Sequence, residues 1–390
     1  MDAAPSLKSK TLRFGIIGCG LMGREFASAA ARWCHLTDSP AQPVITAICN
    51  RSAKPFDWFT QNFSTIDLVT HDYKDVLASD QVDAVYIALP HHLHQEVYIA
   101  AIKAGKHVMG EKPFGIDRDA NEAINAVIAE HPDVFVRCVS QFPFFPAVQQ
   151  IGKMIDNGEF GNILSVQSGF LHSSDLDANK PINWKRMIDF NGEYGVMGDL
   201  GMHACHVPLR AGWQPQNVRA ILSNVITERF EAKGSQTKVP CQTWDNATLL
   251  IDTHDPTTGL KFPWTMRTFR ISPGEKNSWY VEIQGTKASV RFDTGNPKQL
   301  ELLEYDGGQQ VWQAIQTGYD TPYPTITGGI FEFGFTDAIL QMWAAYVYEL
   351  TTGKTPHRFA GCVLPEEVAV SHRIFDAALK SHQQTAVVSV

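Results

Sequence analysis

From Leu12 onwards, short apolar runs alternate with amphipathic stretches. "LRFGII", "PVITAIC", "IDLV", "VDAVYIAL", "KHVMG" and "VFVRCVS" each read as a buried strand. Between them, "LMGREFASAAARW", "HQEVYIAAIKAG" and "RDANEAINAVIAEH" read as helices. Strand and helix in alternation predict a doubly wound parallel sheet covered on both faces. After residue 140 the pattern changes. "FPAVQQIGKMIDNGEFG" reads as a helix that stops at a glycine, and "NILSVQSGFLH" as a strand. Beyond residue 215, "NVRAILSNVITERF", "TWDNATLLIDTH", "SWYVEIQGTKASVRFD" and "QLELLEYD" follow one another without helices, which predicts an antiparallel sheet. "FGFTDAILQMWAAYVYELTTG" and "LPEEVAVSHRIFDAALKSH" read as closing helices.

Length sharpens this into two units. A chain of 390 residues exceeds what one hydrophobic core usually supports. The expected division is an α/β nucleotide-binding domain over 11–140 and an α/β substrate and oligomerisation domain over 141–390. A hydrophobic content of 44% is that of a globular protein, and the net charge of −8 argues against nucleic acid or a membrane surface as partner. No apolar run reaches the roughly eighteen residues a membrane helix needs. The opening "MDAAPSLKSKTLRFG" lacks an apolar core and reads as a tail rather than a secretory signal. Seven scattered cysteines with no C-x-x-C pair suit reduced thiols in a cytoplasmic protein.

The first strand runs into "GCGLMG", so Gly18, Gly20 and Gly23 have the G-x-G-x-x-G spacing, with Leu21 and Met22 opening the helix. Gly18 would permit the tight turn, Gly20 the close approach of a pyrophosphate, and Gly23 close packing of helix on strand. The expected cofactor is therefore NAD(P). At the tip of the second strand, an acid would bind the ribose hydroxyls of NAD. Asn50 and Arg51 stand there instead and favour the 2′-phosphate of NADP.

"ALPHHLHQE" follows the fourth strand, where ligands of such sheets bind. Leu89, Pro90, His91 and His94 are placed along the cofactor groove, with His94 at the helix start. His91, His92 and His94 are too crowded in one short loop to converge on a metal, so none is expected. The fifth strand ends in "GEKPFG", where Pro113 confines Lys112 to an extended backbone. Glu111 and Lys112 thus stand at the sheet edge where the nicotinamide should lie.

"GIIGCGLMG", "PHHLH" followed by "AIKAGKHVMGEKP", and "GDLGMH" occur here in the order and spacing of one family. The chain resembles the glucose-fructose oxidoreductase / inositol dehydrogenase / MocA (Gfo/Idh/MocA) family from about residue 11 to its last helix. The E-K-P motif is the most distinctive element, and His91 stands where many members have Asn. The resemblance implies a second domain built on a large, open, mainly antiparallel sheet often used for dimer contact. It implies that the last helix, about 364–382, packs back on the first domain. A homodimer or homotetramer acting on a carbohydrate or polyol is expected.

If "GVMGDLGMHACHVPLRAG" is helical, Asp199 and His203 are four apart and share one face, where the carboxylate can orient the imidazole. The family match places Lys112, Asp199 and His203 together as the catalytic group. His203 or Lys112 would take the proton of a substrate hydroxyl. Cys205 and His206 fall on another face and read as core packing and a satisfied histidine. Upstream, His172, Trp184, Lys185, Arg186 and Tyr194 offer an aromatic plane for a sugar ring and cations for an acidic substituent. The expected activity is oxidation of a sugar, sugar acid or cyclic polyol. One alternative is a glycosidase that oxidises the sugar transiently, eliminates the aglycone, hydrates and re-reduces. Another is a non-catalytic nucleotide and sugar sensor, which the presence of all three catalytic residues disfavours.

Overall fold

The computed structural model describes residues 10–390; the tail read before Lys10 lies outside them. The first sheet holds β1 (Lys10–Ile17), β2 (Ala41–Cys49), β3 (Leu68–Thr70), β4 (Ala84–Ile87), β5 (His107–Gly110) and β6 (Val136–Cys138). All pair in parallel in the order β3-β2-β1-β4-β5-β6. The connecting helices are α1 (Leu21–Ala31), α2 (Phe56–Asn62), α3 (Tyr73–Ala78), α4 (His94–Lys103) and α5 (Arg118–Glu130). From Phe14 in β1, throughout β4 and from Val108 in β5, every position is buried because helices cover both faces.

The chain then forms α6 (Pro146–Asp156), β7 (Ile163–Leu171), α7 (Ile188–Asn191) and α8 (Met202–Arg210). Strands follow: β8 (Gln214–Ser223), a small β9 (Glu228–Phe230) and β10 (Lys238–Pro240) hairpin, β11 (Asn246–His254) and β12 (Lys261–Phe269). β13 (Ser278–Gly285), β14 (Ala288–Asp293), β15 (Gln299–Glu304) and β16 (Gln313–Gln316) extend the same sheet. Helices α9 (Phe335–Thr352) and α10 (Pro365–Gln384) and the edge strand β17 (Val388–Ser389) complete the fold. The second sheet runs β16-β15-β14-β13-β7-β12-β11-β8-β17 and is antiparallel except where β12 meets β7. Along β8, β11 and β12 buried and accessible positions alternate, so one face is core and the other is open. On the open face Ile221 and Leu250 are exposed.

Strand β12 was not among the expected ones, because Pro263 interrupts its pattern. Pro263 pairs with Asp252 of β11, and pairing with β7 begins only at Trp264, so on that side no donor is demanded of the proline. The return of the chain to the first sheet also differs in detail. Helix α9, rather than the last helix alone, supplies it. Trp343 of α9 lies 3.8 Å from Phe26, centroid to centroid, and edge-on to Phe14 and Tyr86. Helix α10 lies between the two halves, touching α5 and β6 on one side and α8 and β8 on the other.

Candidate active site

Four strands of the first sheet end on one edge. β1 leads to the glycine turn, β2 to Asn50, β4 to Leu89 and Pro90, and β5 to Glu111 and Lys112. Gly18 has φ +107°, and a Cβ there would meet the carbonyl of Ala88. A Cβ on Gly23 would strike the carbonyl of Gly18, so only glycine lets α1 seat this closely. Gly20, by contrast, faces open space. Helix α1 starts with no side-chain cap and no acid in its first turn, which leaves its first N–H groups and positive dipole end facing that space. These residues fit a pyrophosphate. The side chain of Asn50 is already committed. Its Oδ1 accepts from the Cys19 N–H (3.2 Å) and its Nδ2 donates to the Ser52 carbonyl (2.8 Å), tying the glycine turn to the end of β2. Arg51 is exposed.

Lys112 is carried on a turn whose Lys112–Pro113 peptide is cis. Two buried histidines brace that turn. His94 donates from Nε2 to the Leu89 carbonyl (3.0 Å) and accepts at Nδ1 from the Gly115 N–H (3.4 Å). His372 of α10 donates from Nε2 to the Pro113 carbonyl (2.7 Å). His94, expected along the cofactor groove, is fully buried, and both its ring nitrogens are spent on positioning the turn. Burial is the largest influence on both imidazoles and pushes His94 down to about 3 and His372 to about 4.

In the unfolded chain each ring protonates near pH 6.5. Below that value the folded protein binds fewer protons than the unfolded chain, so stability falls as the pH drops from about 6.5 towards 4. At pH 5 the two rings together are expected to cost about 4 kcal/mol relative to pH 8. Urea unfolding at the two pH values measures this, and equal unfolding free energies would contradict it.

Asp199 and His203 come from the second half. Residues Met197–Gly201 form a π turn that continues into α8. A π turn takes more residues per revolution than an α-helix, so positions four apart no longer stack. The expected Asp199–His203 pair is accordingly not formed. Asp199 instead binds Lys112 Nζ at 2.7 Å, Lys185 Nζ at 2.9 Å and Arg270 at 3.1 Å. Lys112 Nζ also donates to the Asp199 carbonyl (2.6 Å). Burial alone would raise the Asp199 carboxyl, but these three cations outweigh it and hold it well below the usual carboxylate range. It stays ionised.

His203 Nδ1 lies 3.1 Å from Ser140 Oγ, just beyond β6. The rings of Phe142 and Phe170 stand edge-on to it at 5.2 and 5.5 Å. Burial, with the neighbouring charge of Lys112, holds the imidazole well below its ordinary value, so it is neutral at pH 7. Its Nε2 has no hydrogen-bond partner among the described residues. A neutral ring held at one nitrogen and open at the other can accept a proton.

The expected substrate residues divide. His172 packs on Phe170, and Trp184 stands edge-on to His91 with Lys185 Nζ 5.7 Å from its ring. All three are partly accessible. Arg186 is corrected: it is fully buried and paired with Asp245, so it meets no substrate. Tyr194 is corrected too. Its ring packs on His372 and Phe375 and its hydroxyl donates to Asp376 (3.0 Å), facing α10 rather than the cleft. His91 is nearly buried, with Nδ1 against the Asn191 carbonyl (3.2 Å), and Glu111 accepts from the Tyr86 hydroxyl (2.6 Å). Cys205 and His206 lie in the core as expected of scaffold, but the two nitrogens of His206 have no partner, contrary to the expected satisfied ring.

Two residues were missed. Ser140 sits at the C-terminal end of a strand in the parallel sheet, and that rule of position would have found it. Arg270 follows β12 directly and carries no local signal.

Residues 12–137 match the oxidoreductase family model with an NAD-binding Rossmann fold, and residues 148–291 match the GFO/IDH/MocA C-terminal domain. Levoglucosan dehydrogenase of Pseudarthrobacter phenanthrenivorans is 26% identical over 323 residues, 80% of this chain and 82% of that protein. Glucose-6-phosphate 3-dehydrogenase of Bacillus subtilis is 26% identical over 298 residues, 75% and 77% of the two chains. Among solved structures, levoglucosan dehydrogenase in complex with NADH and L-sorbose superposes with a TM-score of 0.85 at 25% identity, covering 98% of this chain and 99% of that one. The two family models together span most of the sequence, and the chain belongs to the Gfo/Idh/MocA oxidoreductases.

Proposed function

We propose that this protein oxidises a hydroxyl-bearing carbon of a carbohydrate-type substrate, a pyranoside, sugar acid or cyclic polyol, with NAD(P) as hydride acceptor. The observation that carries this reading is the convergence of Lys112 from the first sheet edge with Asp199 of the π turn, beside the neutral ring of His203. The similarity to levoglucosan dehydrogenase and glucose-6-phosphate 3-dehydrogenase supports a sugar as substrate.

The turn Gly18–Gly23 with Leu21 and Met22, the tips at Asn50 and Arg51, Leu89 and Pro90, and the Glu111–Lys112 edge would hold the dinucleotide. When bound, it supplies the hydride acceptor. The side chains do the rest. Lys112 holds the substrate oxygen and stabilises negative charge developing on it. Asp199 fixes the Lys112 ammonium. His203 takes the hydroxyl proton at Nε2 while Ser140 sets the ring's orientation. Trp184 and His172 flank the sugar.

Incubation with a panel of sugars and aryl glycosides, following both NAD(P)H absorbance and released aglycone, tests this reading. Net NAD(P)H without aglycone is the expected result. Aglycone without net NAD(P)H would replace it with the redox glycosidase.

NADP is the preferred cofactor in this reading; the exposed guanidinium of Arg51 beyond β2 supports it as a partner for a 2′-phosphate. Arg51→Ala is expected to weaken NADPH binding about 10- to 100-fold, the loss of one charged hydrogen bond or ion pair, and to leave NADH binding within about twofold. Equal losses for both cofactors, measured by fluorescence titration, would remove the preference. A second copy covering the open sheet face beside Ile221 and Leu250 accounts for their exposure, and sedimentation of the purified protein reads the resulting dimer or tetramer.

A further inference from the structure

Charge around Asp199 does not balance. Lys112, Lys185 and Arg270 all bind this single carboxylate, and none of the three is paired with a second acid among the described residues. Glu111 lies close in sequence, buried and bonded to Tyr86. Counting it as ionised still leaves three cations against two carboxylates. The next layer brings no relief. Asp175 and Asp245 are matched by Lys180 and Arg186, while Arg229 is buried on the backbone carbonyls of Asp175, Asp177 and Lys180. Like charges held this close and partly desolvated repel strongly, so a fold that keeps them together has a use for an added anion.

Of the three cations, Lys185 is the most accessible. Arg270 is shut in, its side chain 2% exposed, and Lys112 is 14% exposed, but Lys185 is 39% exposed. Lys185 Nζ carries three donors and reaches only the two oxygens of Asp199, beside the ring of Trp184. One donor is therefore left without a partner among the described residues, on an ammonium that lies 5.7 Å from the Trp184 ring. Arg270, which binds both Asp199 and the Lys185 carbonyl, holds this corner rigid.

We propose that the substrate carries an anionic substituent, a carboxylate or a phosphate, which binds Lys185 beside Trp184 while its reacting hydroxyl faces His203 and Lys112. This rests on the carbohydrate reading above and narrows it to sugar acids or sugar phosphates. Lys185 is then a specificity residue, and Asp199 serves both lysines at once.

The test uses protein saturated with NADH or NADPH. It is titrated calorimetrically with matched neutral, carboxylate and 6-phosphate forms of glucose, galactose and mannose. At least one anionic form is expected to bind tenfold or more tightly than its neutral counterpart, with an advantage that shrinks as salt is raised. Preference for the carboxylates alone or the phosphates alone identifies which anion is meant. Lys185→Met keeps the aliphatic stem and should reduce the advantage to within about twofold, and Lys185→Arg should keep most of it. Neutral forms binding as tightly as both anionic forms, no binding of either anion, or an unchanged preference in Lys185→Met would overturn the proposal. Reduction of NAD(P) by neutral sugars, with no gain from an acidic group, would overturn it and leave the oxidoreductase reading standing.

Discussion

Asp199→Asn is expected to lower kcat by about 10²- to 10³-fold and to destabilise the protein by about 3–5 kcal/mol. The carboxylate is buried and binds three cations from three different elements, so the amide leaves all three with no counter-charge. The activity loss comes through Lys112, whose Nζ is fixed by two contacts to Asp199, of which one, to the carbonyl, survives the substitution. A displaced ammonium stabilises developing charge on the substrate oxygen poorly. The two effects are separable: urea unfolding reads the first and saturated turnover the second. An Asp199→Asn protein of normal stability and normal kcat would show that the three-cation cluster is neither structural nor functional.

His203→Gln should reduce kcat by about 10²- to 10⁴-fold, the range for removing a general base, with little change in KM. Glutamine keeps approximate volume between Phe142 and Phe170 but cannot take a proton. Because burial holds the native ring well below pH 6.5, kcat of the unaltered enzyme should not fall through His203 protonation between pH 8 and 6.5; any acid limb from this ring lies lower. Ser140→Ala removes only the partner at Nδ1, worth about 1 kcal/mol, and should lower kcat about fivefold at unchanged KM. Comparing the pH–rate profiles of the unaltered enzyme and the two variants checks all three expectations. Full turnover in His203→Gln would transfer the proton acceptor to another group.

Much of this architecture is legible before any coordinates, for physical reasons. Strands buried on both faces leave nearly continuous apolar runs, so β1, β2, β4 and β5 stand out along the chain; β3, read as buried, is a half-buried edge strand with Val69 exposed. The glycine turn is legible because Gly18 and Gly23 each answer a separate steric demand, while Gly20 leaves its side of the turn open. β12 was hidden by Pro263, a residue that argues against a strand unless one knows which neighbour pairs where. Arg186 was misread for a reason that sequence cannot repair. Trp184–Arg186 form one 3₁₀ turn, in which successive side chains differ by about a third of a revolution. Lys185 therefore points to the cleft while Arg186 points to Asp245, and the letters K and R carry no sign of which does which. The Asp199–His203 spacing failed for a related reason, since a π turn is invisible in a pattern read at helical period. Gly201 in that turn serves packing: a Cβ there would strike the ring of Phe375.

Helix α9 has a consequence for how the chain is made. Trp343 fills the aromatic cluster of Phe14, Phe26 and Tyr86, yet it is synthesised some two hundred residues after β6 ends the first sheet. As the chain leaves the ribosome, the nucleotide-binding half must wait with an uncovered aromatic face until nearly the whole protein has emerged. Closing so distant a contact is slow, and the exposed face in the interval is a natural substrate for chaperones. The two halves are separate in their sheets and inseparable in their birth.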